Sequence, residues 1–447
     1  TELACRLPSA LLVLALIALT YALARYDFGK RAALLSAIIF ATCIHAIVLA
    51  RAAVTDVTFA TCLLGAVYAY RRWYDSEGRG RFGWMGLCGA ATGLGMLAKG
   101  PVAPLLLLLT FVIHLAWTRR LKWLLSLDVL LGIAAALLVG LPWFAGMYMM
   151  NHDKFLHQFI QFHNLDRYTK PLHPGTTGQW YAYFLFIPVF FMFFFPWSVF
   201  LPAAIIRFRR TNPGAMLAFV WCAVVFVFFS ISKTKLVTYI FPTYPTAALF
   251  IGAMIDRAVA GDKTCSRSFR RGLISGMVMA LLFAVALVRY VNYRVPDGKF
   301  AGFGLAIVLL LMFVIAFLQN RDGVRAVWLI GAGMTFFTAI LILWMLPRAS
   351  RSLSTRDLIK DIPRNAAVAA RLELLKKPSL IYYMDRWPKQ LDSISEAAAF
   401  LRNKAPAYVI CRDKDAEALR ADGYVETTRA GDLFLIANKA AAGSAAR

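Results

Sequence analysis

The 447-residue sequence predicts a polytopic α-helical membrane protein that carries a small α/β domain at its C-terminal end. Three observations predict it. Hydrophobic residues make up 60% of the chain and the mean hydropathy is +0.62, whereas a soluble domain is roughly 45–50% apolar, so the excess has to face lipid. Apolar runs of about 20 residues recur along the chain, the length that crosses a bilayer's hydrocarbon core. The connections between those runs alternate between basic and base-poor, as they do when successive loops lie on opposite sides of a membrane.

Taken in order, twelve spans are expected, near 8–24, 32–50, 54–70, 83–98, 101–117, 123–146, 180–206, 214–231, 236–255, 272–291, 301–318 and 326–346. The connections RYDFGKR, RRWYDSEGRGR, TRRLK, RFRR, DRAVAGDKTCSRSFRRG and QNRDGVR are rich in Lys and Arg, which assigns them to the cytoplasmic side. The other set then lies outside: Arg51 to Asp56, Lys99-Gly100-Pro101, residues 147–179, Ser230 to Thr238, and 292–300. Residues 1–349 form the membrane domain on this reading. Residues 350–438 change composition, with strand-like runs SLIYYM, AYVICR and FLIAN and helix-like runs ISEAAAFLRNK and DAEALRAD, and read as a soluble α/β domain on the outer face. Residues 439–447, rich in Ala, read as a disordered tail.

The net charge of +25 does not point to nucleic acid, because the cations sit between spans, where topology and anionic head groups account for them. The seven cysteines form no CxxC pair and read as small packing residues. No phosphate-cradling GxxxxGK[ST] is present, so an ATP-driven pump is not expected, and no nucleotide or other cofactor is implied. A transporter would set charges near the bilayer midplane and often shows inverted repeats. Neither is legible, and the nearest candidate, Asp128, lies close to Lys122 and Trp123 at the inner end of its span.

The unusual polar residues collect on the outer side. Lys233 and Lys235 interrupt the apolar stretch FVFFSISKTKLVTYIFPTYP, followed by Tyr239 and Pro242. As topology signals they stand on the wrong side, whereas two ammonium groups at close range suit a phosphate beside a lipid tail. Lys99, in LAKGP, either snorkels to the interface or supplies a cation at the mouth of a lipid groove, with Gly100 allowing close approach. Asp56 belongs either to a helix cap, with Thr55 or Asp56 capping the span that follows, or to a site where it orients a reacting group, and the two are compatible. The stretch 155–168, FLHQFIQFHNLDRY, approximates an amphipathic helix on the membrane, decorated by His157, His163, Asp166 and Arg167. Those polar residues are either a plain solvated face or part of a site. With His173 the histidines invite a zinc reading, but no HxxxH-type spacing is present, and no metal is assigned.

These segments together resemble the bacterial lipid-carrier-dependent glycosyltransferases related to protein O-mannosyltransferases, and among them the branch that transfers aminoarabinose to lipid A. The matching stretches are ELACRLPSALL, RAAVTDVTF, GLGMLAKGPVA, FLHQFIQFHNLDRY with HPGTTGQWYAY, FFFPWSVFLP and SISKTKLVTYIFPTYP, in order across residues 2–250. The resemblance implies a C-type glycosyltransferase fold in the bacterial inner membrane, acting as a monomer with its active site on the periplasmic face. It implies a polyprenyl-phosphate sugar donor, a lipid A-like or protein acceptor, and metal-independent transfer with inversion. By the same resemblance Lys99, Arg167, Lys233, Lys235 and Tyr239 grip the donor phosphate, Asp56 is a supporting catalytic carboxylate, and His157 and His163 belong to the acceptor or loop site. The family's first span and first outer loop, which carries its principal catalytic acid, precede the ELACRLPSALL-like segment. That acid is therefore expected upstream of Thr1, and the polypeptide as written is expected to be inactive or to bind polyprenyl phosphate without chemistry. Lipid-linked sugar transport is the remaining alternative.

Overall fold

A computed structural model describes residues 2–170, 180–294, 299–319, 323–345, 355–360, 362–363, 366–371, 378–384, 387–402, 405–430 and 433–441. The chain divides into two compact units, residues 1–286 with 304–338, and residues 287–303 with 339–447.

The first unit is helical. Its opening helices are α1 (Glu2–Phe28), α2 (Lys30–Ala41), α3 (Ile44–Leu49), α4 (Thr55–Asp75), α5 (Arg79–Lys99), α6 (Val102–Trp117) and α7 (Leu127–Phe155). Among the described residues, six helical stretches are long and apolar enough to cross a membrane: Leu3–Phe28, Leu127–Phe159, Pro213–Ile231, Val237–Val259, Lys263–Arg289 and Val324–Leu343. The molecule is thus a multi-pass helical membrane protein. The helices α4 and α5 are more polar but equally long, 21 residues each, which spans about 30 Å.

Two expected spans differ in form. The run near 32–50 is split at Thr42 and Cys43 into α2 and α3. The run near 180–206 is two helical pieces, Trp180–Phe193 and Ser198–Phe208, bent by 116°. The break falls at Phe194–Trp197, where Pro196 has no N–H to continue a helix, and Trp197 is buried there with its indole N–H donating to the Thr42 hydroxyl at 2.9 Å. The break in one span is therefore pinned to the break in the other.

Close helix packing relies on glycine. A Cβ on Gly89 of α5 would lie 1.9 Å from the Gly132 carbonyl oxygen of α7, and one on Gly93 would lie 2.7 Å from the Ala136 carbonyl oxygen. Only missing side chains allow backbones to approach so closely, the usual device where apolar burial cannot drive helices together. The helix Tyr244–Val259 is buried on every side from Tyr244 through Ile255, and an all-round apolar helix belongs at the centre of a bundle. Asn212 caps the helix Pro213–Ile231, accepting from the Ala215 N–H at 2.7 Å with Pro213 in the first turn.

The second unit contains a five-stranded mixed sheet in the order β2-β1-β3-β5-β4, with β1 Ala367–Arg371, β2 Lys389–Leu391, β3 Ala407–Arg412, β4 Val425–Ala430 and β5 Leu433–Ala437. β1 runs parallel to β2 and β3, whereas β5 runs antiparallel to β3 and β4. AYVICR and FLIAN are strands, as expected. They read as continuous apolar runs because both faces are covered: Tyr408, Ile410 and Leu435 pack into one core, Val409, Cys411 and Ile436 into the other. ISEAAAFL and DAEALRA are helices. The first has Ser393 at its cap and Glu396 three residues on, whose carboxylate accepts from the Asp392 N–H at 2.8 Å. SLIYYM is a correction: it lies in a helix, Pro378–Met384, and not in a strand. Leu380 and Met384, four residues apart, enter the core while Tyr382 is exposed, which is helical spacing that a short aromatic run conceals.

Candidate functional site at one end of the helical bundle

Asp56 sits in the first turn of α4, and Lys99 is the last residue of α5. The two helices are antiparallel neighbours, so these ends meet, and Lys99 Nζ pairs with the Asp56 carboxylate at 2.5 Å. Neither Thr55 nor Asp56 is the cap; that position is Val54, with no side-chain cap bond. The negative charge of Asp56 still complements the positive N-terminal end of α4. Gly100 then turns the chain with φ +76°, and Pro101 leads into α6. A residue with a Cβ would be strained there, so the glycine is what delivers Lys99 at a sharp corner. The ammonium also lies over two rings, 5.1 Å from the centroid of Phe59 and 5.0 Å from that of Tyr239. Asp56, Lys99 and Tyr239 thus come together from three separate elements.

Lys233 and Lys235 occupy the connection between the helix Pro213–Ile231 and the 3-10 turn Val237–Thr243. Lys235 Nζ donates to the Phe229 and Ser230 carbonyls, at 3.1 and 2.5 Å, in the open last turn of that helix, where cations are favoured. Lys233 Nζ donates to the Tyr183 hydroxyl at 2.9 Å. The Lys235 ammonium is 5.6 Å from the Tyr183 ring centroid and 5.4 Å from that of Phe186. Among the described residues neither lysine has a carboxylate partner. Burial first, and the Lys233 charge second, press the Lys235 amine down to about 8. The two parts of the site are joined through Phe229, whose ring lies 4.7 Å from that of Tyr239 and whose carbonyl holds Lys235.

The long connection after α7 closes on this loop. The helix breaks at His152, where φ is +43°, a region a residue with a side chain rarely adopts. Residues Leu156–Asp166 then wind with π-type hydrogen bonding and not as the regular amphipathic α-helix expected over 155–168. Phe155 and Phe159 stack at 5.3 Å, against Trp143 and Phe144 of α7, so ring packing onto α7 sets the winding. Arg167 opens the short turn Arg167–Thr169. Directly after it the Tyr168 carbonyl accepts from the Lys233 N–H at 2.8 Å, and the Lys170 carbonyl accepts from the Thr234 hydroxyl at 3.1 Å. The Arg167 backbone is therefore one residue from the lysine loop. His157 is exposed on the π-wound segment. The side chains of His163 and Arg167, and all of His173, lie outside the described residues.

Sequence reasoning missed Tyr183, which touches both lysines; the aromatic QWYAY run was a signal for it. It also missed His45 of α3, fully buried among Phe193, Phe241 and Tyr244, with Nδ1 unpartnered among the described residues. The assembled site is a patch of three ammonium groups, one neutralised by Asp56, walled by aromatic rings. Such a patch suits an anion borne on an apolar body, because the charges are preset and the rings exclude water.

Comparison with known proteins supplies the context. Residues 1–145 match the family model described as dolichyl-phosphate-mannose-protein mannosyltransferase. The chain is similar to the undecaprenyl phosphate-alpha-4-amino-4-deoxy-L-arabinose arabinosyl transferase of Erwinia tasmaniensis, 30% identical over 267 residues, which are 58% of this chain and 46% of that protein. The protein of the same description from Pseudomonas aeruginosa is 33% identical over 248 residues, 54% of this chain and 43% of its own. The matched stretch thus spans less than half the length of these relatives. The fold also matches the crystal structure of ArnT from Cupriavidus metallidurans bound to undecaprenyl phosphate, with a TM-score of 0.82 at 23% identity over 98% of this chain and 84% of that one. The apo structure of the same protein gives 0.78.

Proposed function

We propose that the chain works in transfer of a sugar from a polyprenyl-phosphate donor to a lipid A-like or protein acceptor, at the periplasmic face of the bacterial inner membrane. Similarity to transferases described as using undecaprenyl-phosphate aminoarabinose supports the donor class. The single observation that carries the reading is the pair Lys233 and Lys235, two ammonium groups without carboxylate partners among the described residues, set against Tyr183 and Phe186 at the end of an apolar helix. In the reaction an acceptor oxygen attacks the sugar C1, the bond from C1 to the phosphate oxygen breaks, and its electron pair leaves with the polyprenyl phosphate. The acceptor proton passes to a carboxylate. The phosphate gains a negative charge as it departs, and Lys99, Lys233 and Lys235, with Arg167, stabilise that charge where water is partly excluded. Asp56 holds Lys99 in place, and Tyr239 supplies the face against which that ammonium rests. His157 and His163 belong to the acceptor side of the outer connection.

On this reading twelve crossings count α4, α5, α6, the helix Lys299–Leu318 and the two broken runs together with the six apolar stretches. The domain division falls at 349/350, and the α/β domain lies on the periplasmic side. The test is sugar transfer in proteoliposomes containing undecaprenyl-phosphate aminoarabinose and lipid A, read by mass spectrometry. Lys235→Ala should lower kcat/KM by about 100-fold, the scale of losing one preset charge-stabilising donor, while leaving the melting temperature nearly unchanged. Transfer at the unmodified rate would overturn the phosphate grip, and donor binding with no turnover in the unsubstituted chain would make it a lipid-phosphate binder.

A further inference from the structure

A second charged cluster lies at the opposite end of the same helices. Because α4 and α5 each run about 30 Å from the Asp56–Lys99 pair, their far ends reach the other membrane boundary. There Trp123, in the 3-10 turn Leu121–Leu125, is flanked by two guanidinium groups, Arg81 and Arg120, each 4.4 Å from its ring centroid. Arg81 also lies over Trp73 and pairs with Asp128 at 3.0 Å, and Arg120 lies over Tyr74. Around this stack Arg79, Arg119 and Lys122 are exposed. Among the described residues Arg79, Arg119, Arg120 and Lys122 have no carboxylate partner. The nearby acids do not neutralise them: Asp75 pairs with Arg71, Asp128 with Arg81, and Glu77 is exposed without an ion pair among the described residues. Arg119 is held at φ +57°, a conformation that disfavours side chains. Beside the cations, Leu121, Leu125 and Leu127 are 47%, 87% and 70% exposed.

Unpaired cations on an aromatic shelf, with bare leucines next to them, match the make-up of a phospholipid: an anionic head group above acyl chains. The left-handed turn at Arg119 sets consecutive basic residues on the rim of that shelf, and the Trp123 stack fixes Arg120 so that little side-chain freedom is lost on binding. A soluble anion would have no use for the leucines. We propose that the surface formed by Arg79, Arg119, Arg120 and Lys122 around Trp123 is a binding site for an anionic phospholipid, of the phosphatidylglycerol or cardiolipin type, in the leaflet opposite the lysine site.

The test uses the purified full chain in a zwitterionic detergent. Titration with phosphatidylglycerol should raise the melting temperature saturably, and phosphatidylcholine of the same acyl composition should not; an equal response to both overturns the proposal. Native mass spectrometry should then show phosphatidylglycerol retained by the unsubstituted chain. The triple variant Arg119→Gln, Arg120→Gln, Lys122→Gln should retain it with affinity lower by on the order of 100-fold, since each basic residue near a charged surface contributes about fivefold. Unchanged retention by a variant that still elutes as a folded species also overturns it. Arg270→Gln and Arg271→Gln, near the start of the helical stretch Lys263–Arg289, provide the control for loss of charge alone and should leave retention unchanged.

Discussion

Lys99 is the residue with most converging on it: a carboxylate on one side, two aromatic rings around it, and a left-handed glycine behind. Lys99→Ala should lower kcat/KM by about 100- to 1,000-fold, the range seen when a preset stabiliser of developing charge is removed. Asp56→Asn keeps the cation but frees it from its partner, and the loss should be nearer tenfold, about the worth of a hydrogen bond to a charged group. A larger defect in Asp56→Asn than in Lys99→Ala would make the carboxylate a direct participant. Lys235 makes a pH prediction. Its amine is held down to about 8, so donor affinity should be full below pH 8 and fall above it as the ammonium is lost. Lys233→Gln removes the second cause of the depression and should move that fall to higher pH. Stability has the opposite sign: below pH 8 the folded state bears the cost of a desolvated charge, and between pH 8 and the ordinary lysine value it sheds that cost, so the chain without donor should melt slightly higher across this window. A pH-independent donor affinity between 7 and 10 would count against Lys235 as a phosphate ligand.

At the scale of elements, the contact of α5 with α7 decides whether Lys99 is presented at all, because α5 ends on that lysine. Gly89→Ala drives a methyl group into the Gly132 carbonyl, and overpacking of this kind costs about 1–3 kcal/mol. The expected result is a clear drop in melting temperature together with weakened donor binding. Gly86→Ala on the same helix, where nothing lies within 4 Å of the added carbon, should be neutral. Helix lengths and most helix positions were legible from apolar runs and basic connections. The two broken spans were not, because Thr42 and Phe194–Trp197 interrupt the helices without interrupting their hydrophobicity. The π-wound segment after His152 was legible only as amphipathic, since the Phe155–Phe159 stack that accompanies it rests on Trp143 and Phe144, which lie earlier in α7 on the other side of the break at His152.

For the whole molecule, the two charged clusters define two faces, one holding Lys99, Lys233 and Lys235, the other Arg81, Arg119 and Arg120. Cysteines introduced one at a time at Lys170 and at Arg119, both exposed, in a background with the exposed Cys5 replaced by serine, should react with a membrane-impermeant maleimide from opposite sides. Intact cells should label the first, and inverted vesicles the second. Labelling of both from one side would refute the two-faced arrangement and, with it, the periplasmic placement of the lysine site.

By itself the sequence determined that the chain lives in a membrane, which connections carry the positive charge, and which residues were out of place. Asp56, Lys99, Lys233 and Lys235 all stood out as costly polar groups beside apolar runs, since the price of a charge near lipid is set by residue type and neighbours along the chain. Tertiary structure decided what those groups do to each other. That Asp56 neutralises Lys99 while Lys233 and Lys235 have no carboxylate partner among the described residues, that Tyr239 and Tyr183 wall the cations, and that Trp123 is held between two arginines all depend on segments far apart in sequence packing side by side. Hydropathy is a local property, whereas Coulombic and ring contacts act over a few ångströms of space, so composition reveals the first and only the fold reveals the second.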